Sequence, residues 1–257
     1  MGNDDLHRRR EAFGNGRLKR LIAGLCAVLA VTCAFTPAIG DAALDPKRCQ
    51  RGEPLRVVAF GDSLTAGFGL PARLSFPSQL NAALTARGHD VIVRNAGVSG
   101  DTTAGGLKRF DWAIPADTDA VILELGANDV LRGLPVAQAR KNLDQIIRKL
   151  KDRRIAVLIT GMRALRNWGA DYEAEFNAMF DELATTHKTL LYPFFLEGVA
   201  LNRGLNLPDG LHPNGEGIGK IVERIIPHVE DLMERARSFC GAGMKKSALG
   251  VRLRPSD

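Results

Sequence analysis

Ser63 is the residue around which a chemical site is most easily built. It lies in Gly61-Asp62-Ser63-Leu64, directly after the apolar run Leu55–Phe60, which predicts a buried β-strand. The glycines at 61 and 67 allow the chain to turn sharply where this strand ends. In open α/β sheets ligands bind at that end of the strands. Gly-Asp-Ser by itself is also common in turns, so the rest of the chain must show whether Ser63 is a nucleophile or only a turn residue.

Three other polar stretches also occur where ligand-binding loops are expected. Asn95–Thr103 and Gly126–Asp129 each follow an apolar run, and Asp209–Pro213 precedes the last helical pattern. Taken singly, each is good turn or helix-cap sequence. In a parallel sheet, however, these loops meet at the same edge as Ser63. We therefore expect a serine, a histidine, aspartates and amide donors to lie close together.

These residue types fit acyl transfer. A serine hydroxyl becomes a good nucleophile when a base accepts its proton, and histidine titrates in the right range for that role. We predict Ser63 as nucleophile, His212 as base and Asp209 as the carboxylate that orients the imidazole through a turn at Gly210. The same serine–histidine–aspartate arrangement recurs on unrelated folds in different chain orders.

The negative oxygen that develops during acyl transfer needs preorganised donors. Three are predicted here: the backbone N–H groups of Ser63 and Gly100, and the side-chain amide of Asn128. Asp62 is interpreted as structural, because Asp209 is better placed to orient His212.

The elements that must position these residues alternate regularly between strand and helix patterns. This order predicts an α/β fold with a parallel five-stranded sheet covered by helices on both faces. The predicted strands are Leu55–Phe60, Asp90–Asn95, Ala120–Leu125, Arg154–Thr160 and Thr189–Tyr192. The predicted helices are Phe76–Arg87, Thr103–Phe110, Pro135–Asp152, Asp171–His187 and Asn214–Arg237.

The charge distribution argues against a nucleic-acid-binding protein. The 257-residue chain has a formal net charge of +6. The excess lies in the ends: residues 1–40 carry six basic against three acidic groups, and residues 241–257 carry four against one. Residues 41–240 are therefore neutral, and no basic surface is expected on the body of the protein.

The first 40 residues have the pattern of an export signal. Basic residues up to Arg20 precede an uncharged apolar segment, 21–40, which ends in small residues. We expect cleavage and a periplasmic or secreted protein; a retained membrane anchor is the alternative, since the segment approaches the length of a span. Residues 41–240 are then the folded domain, and 241–257 a disordered basic tail.

The remaining cysteines, Cys49 and Cys240, bracket the body of the chain. An exported protein meets an oxidising compartment, so a disulfide between them is one expectation and two free thiols the other. The five histidines are scattered and no Cys-x-x-Cys occurs, so no metal site is predicted.

The Ser63 segment and the three other polar stretches together resemble the four sequence motifs, or blocks, of the GDSL or SGNH hydrolases. This family is named for the serine, glycine, asparagine and histidine in those blocks. Gly61–Leu64 matches the first block, Gly100 the second, Gly126–Asp129 the third, and Asp209 with His212 the last. Similarity is greatest to the branch of periplasmic thioesterases, lysophospholipases and arylesterases, over residues 56–230. Ala127 stands where close relatives often carry a second glycine.

This resemblance implies a three-layer, flavodoxin-like α/β/α sandwich with the serine in an open groove. It implies a serine esterase that acts on small acyl esters, with thioesters or lysophospholipids as further substrates, without cofactor or metal. We also expect a monomer that acts near lipid. Residues expected at the substrate are Leu131, Leu134, Asn167 and Trp168.

Two other functions stay open at this point. The same chemistry could serve an O-acetylesterase acting on cell-wall or exported polysaccharide, although apolar residues expected near the groove, Phe110 among them, favour acyl chains. A non-catalytic binding protein on a hydrolase fold is the more distant alternative, because a fold does not fix a function.

Overall fold

The computed structural model describes residues 52–164 and 166–250, with side chains up to residue 239. Its sheet has five parallel strands in the order β2-β1-β3-β4-β5, which confirms the predicted α/β fold. The strands are β1 Leu55–Gly61, β2 Val91–Gly97, β3 Ala120–Glu124, β4 Ala156–Thr160 and β5 Leu190–Tyr192.

Seven α-helices connect or follow the strands within the described residues. The five long ones agree with the predicted helices to within a few residues, except at the end of the last. The helices are α1 Ser63–Ala66, α2 Phe76–Ala86, α3 Thr103–Ala113, α4 Ala127–Leu131, α5 Val136–Asp152, α6 Ala170–His187 and α7 Gly215–Gly250. Short 3₁₀ turns occur at Ala72–Leu74 and Arg166–Trp168.

The strand order explains why helices cover both faces of the sheet. The chain moves from β1 outward to β2, then returns past β1 to β3 and continues through β4 to β5. Right-handed crossovers in the two directions place α2 on one face and α3, α5 and α6 on the other. Helix α7 packs against α2, while α3 and α6 each pack against α5.

The sheet forms the centre of the hydrophobic core. Every residue of β3 and β4 is buried, and all but one residue of β1 is buried as well. Strands covered on both faces require continuous apolar runs, which is the pattern their sequences show. Phe60, Phe76, Phe110, Phe176 and Phe195 are almost wholly enclosed. Phe110, which the sequence placed near the groove, is therefore a core residue.

The structure describes part of the C-terminal end of the chain but not the N-terminal export segment. Helix α7 continues to Gly250, so the backbone of residues 241–250 is helical where a disordered tail was expected; no proline interrupts this stretch. The export segment, the side chains of the cysteine pair and residues 251–257 lie outside the described residues. No helix in the described part of the chain is long and apolar enough to cross a membrane.

Two short helices, α1 and α4, stand at the ends of β1 and β3, where the order of the strands reverses direction. Ser63 is the first residue of α1, and Asn128 lies in the first turn of α4. Neighbouring ends at such a reversal leave a crevice in which ligands bind. The topology therefore brings these two residues to the same crevice.

Close backbone contact holds α1 against the sheet. A Cβ atom at Gly97 would lie 2.3 Å from the Ala66 nitrogen and 2.8 Å from the Asp62 carbonyl oxygen. At Gly61, a Cβ atom would lie 2.4 Å from the Glu124 carboxylate. Only glycine fits at these two positions, since real Cβ atoms do not approach other heavy atoms so closely.

We expect Gly97→Ala to destabilise the protein, because the new methyl group must displace the backbone of α1. Overpacking of this kind costs about 1–3 kcal/mol or more, which lowers the midpoint of thermal unfolding. Gly219→Ala in α7 is the matched control, since its Cβ atom meets only the flexible Gln79 side chain, at 3.4 Å, and alanine favours helix. Equal unfolding temperatures for the two variants would contradict this account.

Candidate active site

Ser63 owes its position to the cap of α1. The Asp62 side chain accepts a hydrogen bond from the Leu64 backbone N–H at 3.0 Å and so caps the helix. Gly67 ends the helix in a left-handed conformation, with φ of 82°. A helix of one turn between these caps holds the serine at the end of β1, with its side chain facing the crevice cavity described below.

The loop that carries His212 is fixed by the Asp209 carboxylate. One carboxylate oxygen accepts the backbone N–H groups of Leu211 and His212, at 2.9 and 3.0 Å. The other oxygen lies 2.7 Å from His212 Nδ1. These hydrogen bonds, led by the His212 backbone N–H, lower the pKa of Asp209 to about 2. The turn passes through Gly210, whose φ is 72°, as the sequence predicted.

His212 reaches across from this loop to the serine. Its Nε2 lies 2.9 Å from Ser63 Oγ, a contact between residues 149 positions apart in the chain. The Phe68 ring lies against the imidazole with ring centres 4.5 Å apart. With Nδ1 on the carboxylate and Nε2 on the hydroxyl, the geometry permits a proton to pass from Ser63 to His212.

Asn128 lies on the other side of the serine. Its amide nitrogen donates one hydrogen bond to the Asp62 carboxylate at 3.0 Å, which leaves a second N–H on the same nitrogen. The next residue, Asp129, is buried and accepts both the Thr103 backbone N–H and the Thr103 hydroxyl, at 2.8 and 2.7 Å. Asp129 thus joins α4 to the start of α3 and fixes the position of Asn128.

The Gly100 loop is joined to the same frame. Gly100 is exposed and has φ of 83°, and its carbonyl oxygen accepts a hydrogen bond from Arg132 at 2.8 Å. Arg132 directly follows α4, so this contact links the loop after β2 with the short helix that bears Asn128.

Arg109 binds three segments of the site frame at once. This guanidinium is 6% exposed and donates to the carbonyl oxygens of Gly61 and Ala96, both at 2.8 Å. It also pairs with the Asp101 carboxylate and lies over the Phe60 ring. The ends of β1 and β2 and the Gly100 loop are therefore held by a single side chain.

Two buried carboxyl groups lie directly beneath the serine. One Glu124 oxygen accepts the Thr65 hydroxyl at 2.7 Å and the Asp62 backbone N–H at 3.2 Å. Its other oxygen is buried and without a hydrogen-bond partner among the described residues. Burial raises the pKa of Asp62 to about 6, and burial together with the charge of Asp62 raises the pKa of Glu124 well above its usual range. We therefore assign a neutral Glu124 beside an ionised Asp62 at neutral pH.

An apolar cavity of about 400 Å³ opens beside Ser63, Asn128 and His212. Leu131 and Asn167, which the sequence placed at the substrate, line it. The rest of its wall comes from the short helices α1 and α4, from the loops after β4 and β5 and from the histidine loop, and comprises Leu64, Ala127, Val130, Met162, Arg163, Ala164, Phe194, Leu196, Ala200, Leu201, Gly210 and Leu211.

Leu134 and Trp168, also predicted at the substrate, are not among the lining residues. Trp168 donates its indole N–H to the Val130 carbonyl oxygen at 2.7 Å and packs against Gly133. The carbonyl oxygen of Leu134 accepts the Tyr172 hydroxyl at 2.8 Å. Trp168 and Tyr172 thus hold the end of α4 and the loop after it through backbone carbonyl groups.

Several residues of the site carried no usable signal in the sequence. Glu124 is the polar end of an apolar strand, and Arg109 is one of many basic residues on helices. Phe194 and Arg163 lie in loops without a recognisable motif. In the described part of the chain, no group of three or more histidine, cysteine, aspartate or glutamate side chains could hold a metal ion.

Comparison with known proteins places this geometry in a family. Residues 59–218 match the GDSL-like lipase/acylhydrolase family. The chain is 40% identical over 169 residues to an arylesterase of Vibrio mimicus, which covers 65% of this chain and 84% of that protein. It is 32% identical to thioesterase 1/protease 1/lysophospholipase L1 of Escherichia coli K12, over 69% of this chain and 84% of the relative.

A solved structure agrees with these sequence relationships. The crystal structure of AlinE4, an SGNH-hydrolase family esterase, is 43% identical and superposes with a TM-score of 0.60, over 70% of this chain and 97% of that one. The fold expected from the sequence resemblance is thus confirmed, and the enzyme hydrolyses ester bonds. The chain belongs to the GDSL-like lipase/acylhydrolase family.

Proposed function

We propose that this protein is an exported serine esterase whose catalytic residues are Ser63, His212 and Asp209. The observation that carries the proposal is the continuous hydrogen-bonded chain from Ser63 Oγ through the His212 ring to Asp209, with contacts of 2.9 and 2.7 Å. A hydroxyl, an imidazole and a carboxylate in this order are the parts required for nucleophilic acyl transfer.

In the proposed reaction, Ser63 Oγ attacks the carbonyl carbon of the ester while His212 Nε2 accepts the hydroxyl proton. The tetrahedral intermediate then collapses, and His212 delivers that proton to the departing alcohol oxygen. Water, deprotonated by the same nitrogen, attacks the acyl carbon; the bond from this carbon to Ser63 Oγ then breaks, Oγ takes the proton back from His212, and the acid is released. Asp209 keeps the proton on Nδ1 and stabilises the imidazolium as it forms.

The proposed oxyanion donors are the backbone N–H groups of Ser63 and Gly100 and the free N–H of the Asn128 amide. Support comes from the contact of Asn128 with Asp62, which leaves one amide hydrogen for a ligand. Donors fixed before the reaction starts stabilise the developing charge without reorganisation, and loss of one typically costs about 10²–10³ in rate.

The substrates we propose are small esters with an apolar acyl group, and thioesters as an extension of the same chemistry. The cavity beside Ser63 is walled mainly by aliphatic side chains, which bind hydrocarbon through the hydrophobic effect. A polysaccharide O-acetyl ester would instead need polar groups in the cavity to bind its sugar hydroxyls. The hypothesis of an apolar acyl ester as substrate therefore has the stronger support. Export is proposed on the pattern of residues 1–40 alone.

Replacement of Ser63 tests the proposed nucleophile. We expect Ser63→Ala to abolish hydrolysis of p-nitrophenyl esters, because no other hydroxyl lies within hydrogen-bonding distance of His212 Nε2 among the described residues. The matched control is Ser78→Ala, which removes a half-buried hydroxyl on α2 that is hydrogen-bonded to Ser75. The control should keep full activity, and both variants should unfold cooperatively. Hydrolysis by folded Ser63→Ala at the wild-type rate would contradict the proposal.

The neutral state of Glu124 has a consequence for stability. A carboxyl whose folded-state pKa is raised stabilises the fold fully below its unfolded pKa, near 4.5, and loses that contribution as the pH rises through the folded pKa. Glutamine resembles the neutral carboxyl and does not titrate. We therefore expect the unfolding temperature of Glu124→Gln, relative to wild type, to increase as the pH rises above the unfolded pKa of glutamate, about 4.5.

Glu175→Gln on the exposed face of α6 is the control for this measurement. Its unfolding temperature should follow that of the wild type at every pH. A difference between Glu124→Gln and wild type that stays constant or shrinks as the pH rises would show that Glu124 is ionised in the folded protein.

A further inference from the structure

The cavity extends along the strand ends from the nucleophile to the opposite side of the sheet. Ser63 follows β1, Asn128 follows β3, Arg163 follows β4 and Phe194 follows β5, and all four line the same cavity. Neighbouring strands lie about 4.8 Å apart, so the end of β4 is displaced by about 10 Å from that of β1. The far end of the cavity is therefore formed by Arg163 and Phe194.

The charge distribution inside this cavity is uneven. Most of the lining is aliphatic or aromatic, and the ionisable side chains in it are His212, assigned above to the reaction, and Arg163. No carboxylate lines the cavity. Arg163 is an exposed side chain that lines a mostly apolar space, and because no carboxylate shares this lining, it favours a ligand that carries a negative charge.

Arg163 is also held in place without being neutralised. Its guanidinium carbon lies 4.9 Å from the centre of the Phe194 ring, a cation–π contact that restricts the side chain. No salt bridge to Arg163 occurs among the described residues. Arg166, three residues further on, is instead paired with Glu173 at 3.2 Å. The two arginines thus differ in that only Arg163 offers its donors to the cavity.

We propose that Arg163 binds a carboxylate or phosphate group of the substrate, so that the preferred substrates are esters of an apolar acyl group that carry an anionic group on either the acyl or the alcohol side. This inference rests on the proposed function, because it names the substrate class of the same site. Hydrocarbon fills the cavity between the two ends, the ester carbonyl lies at Ser63, and the planar guanidinium receives the anion through two parallel hydrogen bonds.

The anion can belong to either side of the ester, and two substrate pairs separate these arrangements. In the first pair, p-nitrophenyl octanoate is compared with the mono-p-nitrophenyl ester of octanedioic acid, which adds a carboxylate at the end of the acyl chain. In the second pair, the octanoyl ester of glycerol is compared with that of glycerol 3-phosphate, which adds the anion to the alcohol. The readout is the ratio of kcat/KM for the anionic over the neutral member.

Arg163→Gln should lower this ratio by about tenfold or more in at least one pair, the size expected for a lost charge-assisted hydrogen bond. Arg163→Lys keeps the charge but not the paired donors, so its ratio should lie between those of Arg163→Gln and wild type. Arg166→Gln, the matched control outside the cavity, should leave both ratios at the wild-type value. High salt should also lower the wild-type ratio, because it screens a partly exposed charge.

Unchanged ratios in both pairs for Arg163→Gln would overturn the inference and would mean that Arg163 is simply solvated. Ser63→Ala, measured on the same four substrates, separates this outcome from failure of the proposed function. If Ser63→Ala still hydrolyses them, the nucleophile is wrongly assigned; if it is inactive while the ratios do not respond to Arg163, only the anion site is wrong.

Discussion

The site depends first on one buried cation. Arg109 donates to backbone carbonyl groups at the ends of β1 and β2 and pairs with Asp101 beside Gly100. A buried ion pair adds little stability over an apolar replacement, but loss of one partner leaves the other charged and unpaired. Removal of Arg109 would leave Asp101 without its ion-pair partner and would take one hydrogen bond each from the Gly61 and Ala96 carbonyl oxygens. Arg109 therefore fixes the position of Ser63 relative to Gly100, although it does not itself line the cavity.

Three carboxyl groups whose pKa values are shifted in different directions also stabilise the site. Glu124 is neutral beneath α1, Asp62 is ionised and binds Asn128, and Asp209 is ionised beside His212. Burial raises the pKa values of the first two, whereas backbone N–H groups lower that of Asp209. For Glu124 burial and the neighbouring charge of Asp62 outweigh the hydrogen bonds donated by Thr65 and Asp62, whereas for Asp209 the donated hydrogen bonds dominate. The interpretation of Asp62 as a structural residue agrees with its hydrogen bonds to Leu64 and Asn128.

Much of this arrangement could be predicted from the sequence, because the relevant signals are local. Apolar runs followed by glycine located the strands, and the parallel order placed Ser63, Asn128 and His212 at one edge. The short helices α1 and α4 were missed because four or five residues are too few to show a helical period. Leu134 and Trp168 were expected at the substrate from the family resemblance, which identifies the segments near the groove but not which of their side chains face it. Glu124, Arg109 and Arg163 became recognisable only through their partners in space.

The most direct test of the account is to locate the covalent adduct left by a fluorophosphonate. The full-length protein would be treated with the reagent, digested, and mapped by tandem mass spectrometry. The account predicts a single modified residue, Ser63, because His212 activates that hydroxyl and the adjoining donors accommodate the phosphonyl oxygen. Modification of a different residue, or of none while the enzyme still hydrolyses esters, would contradict it.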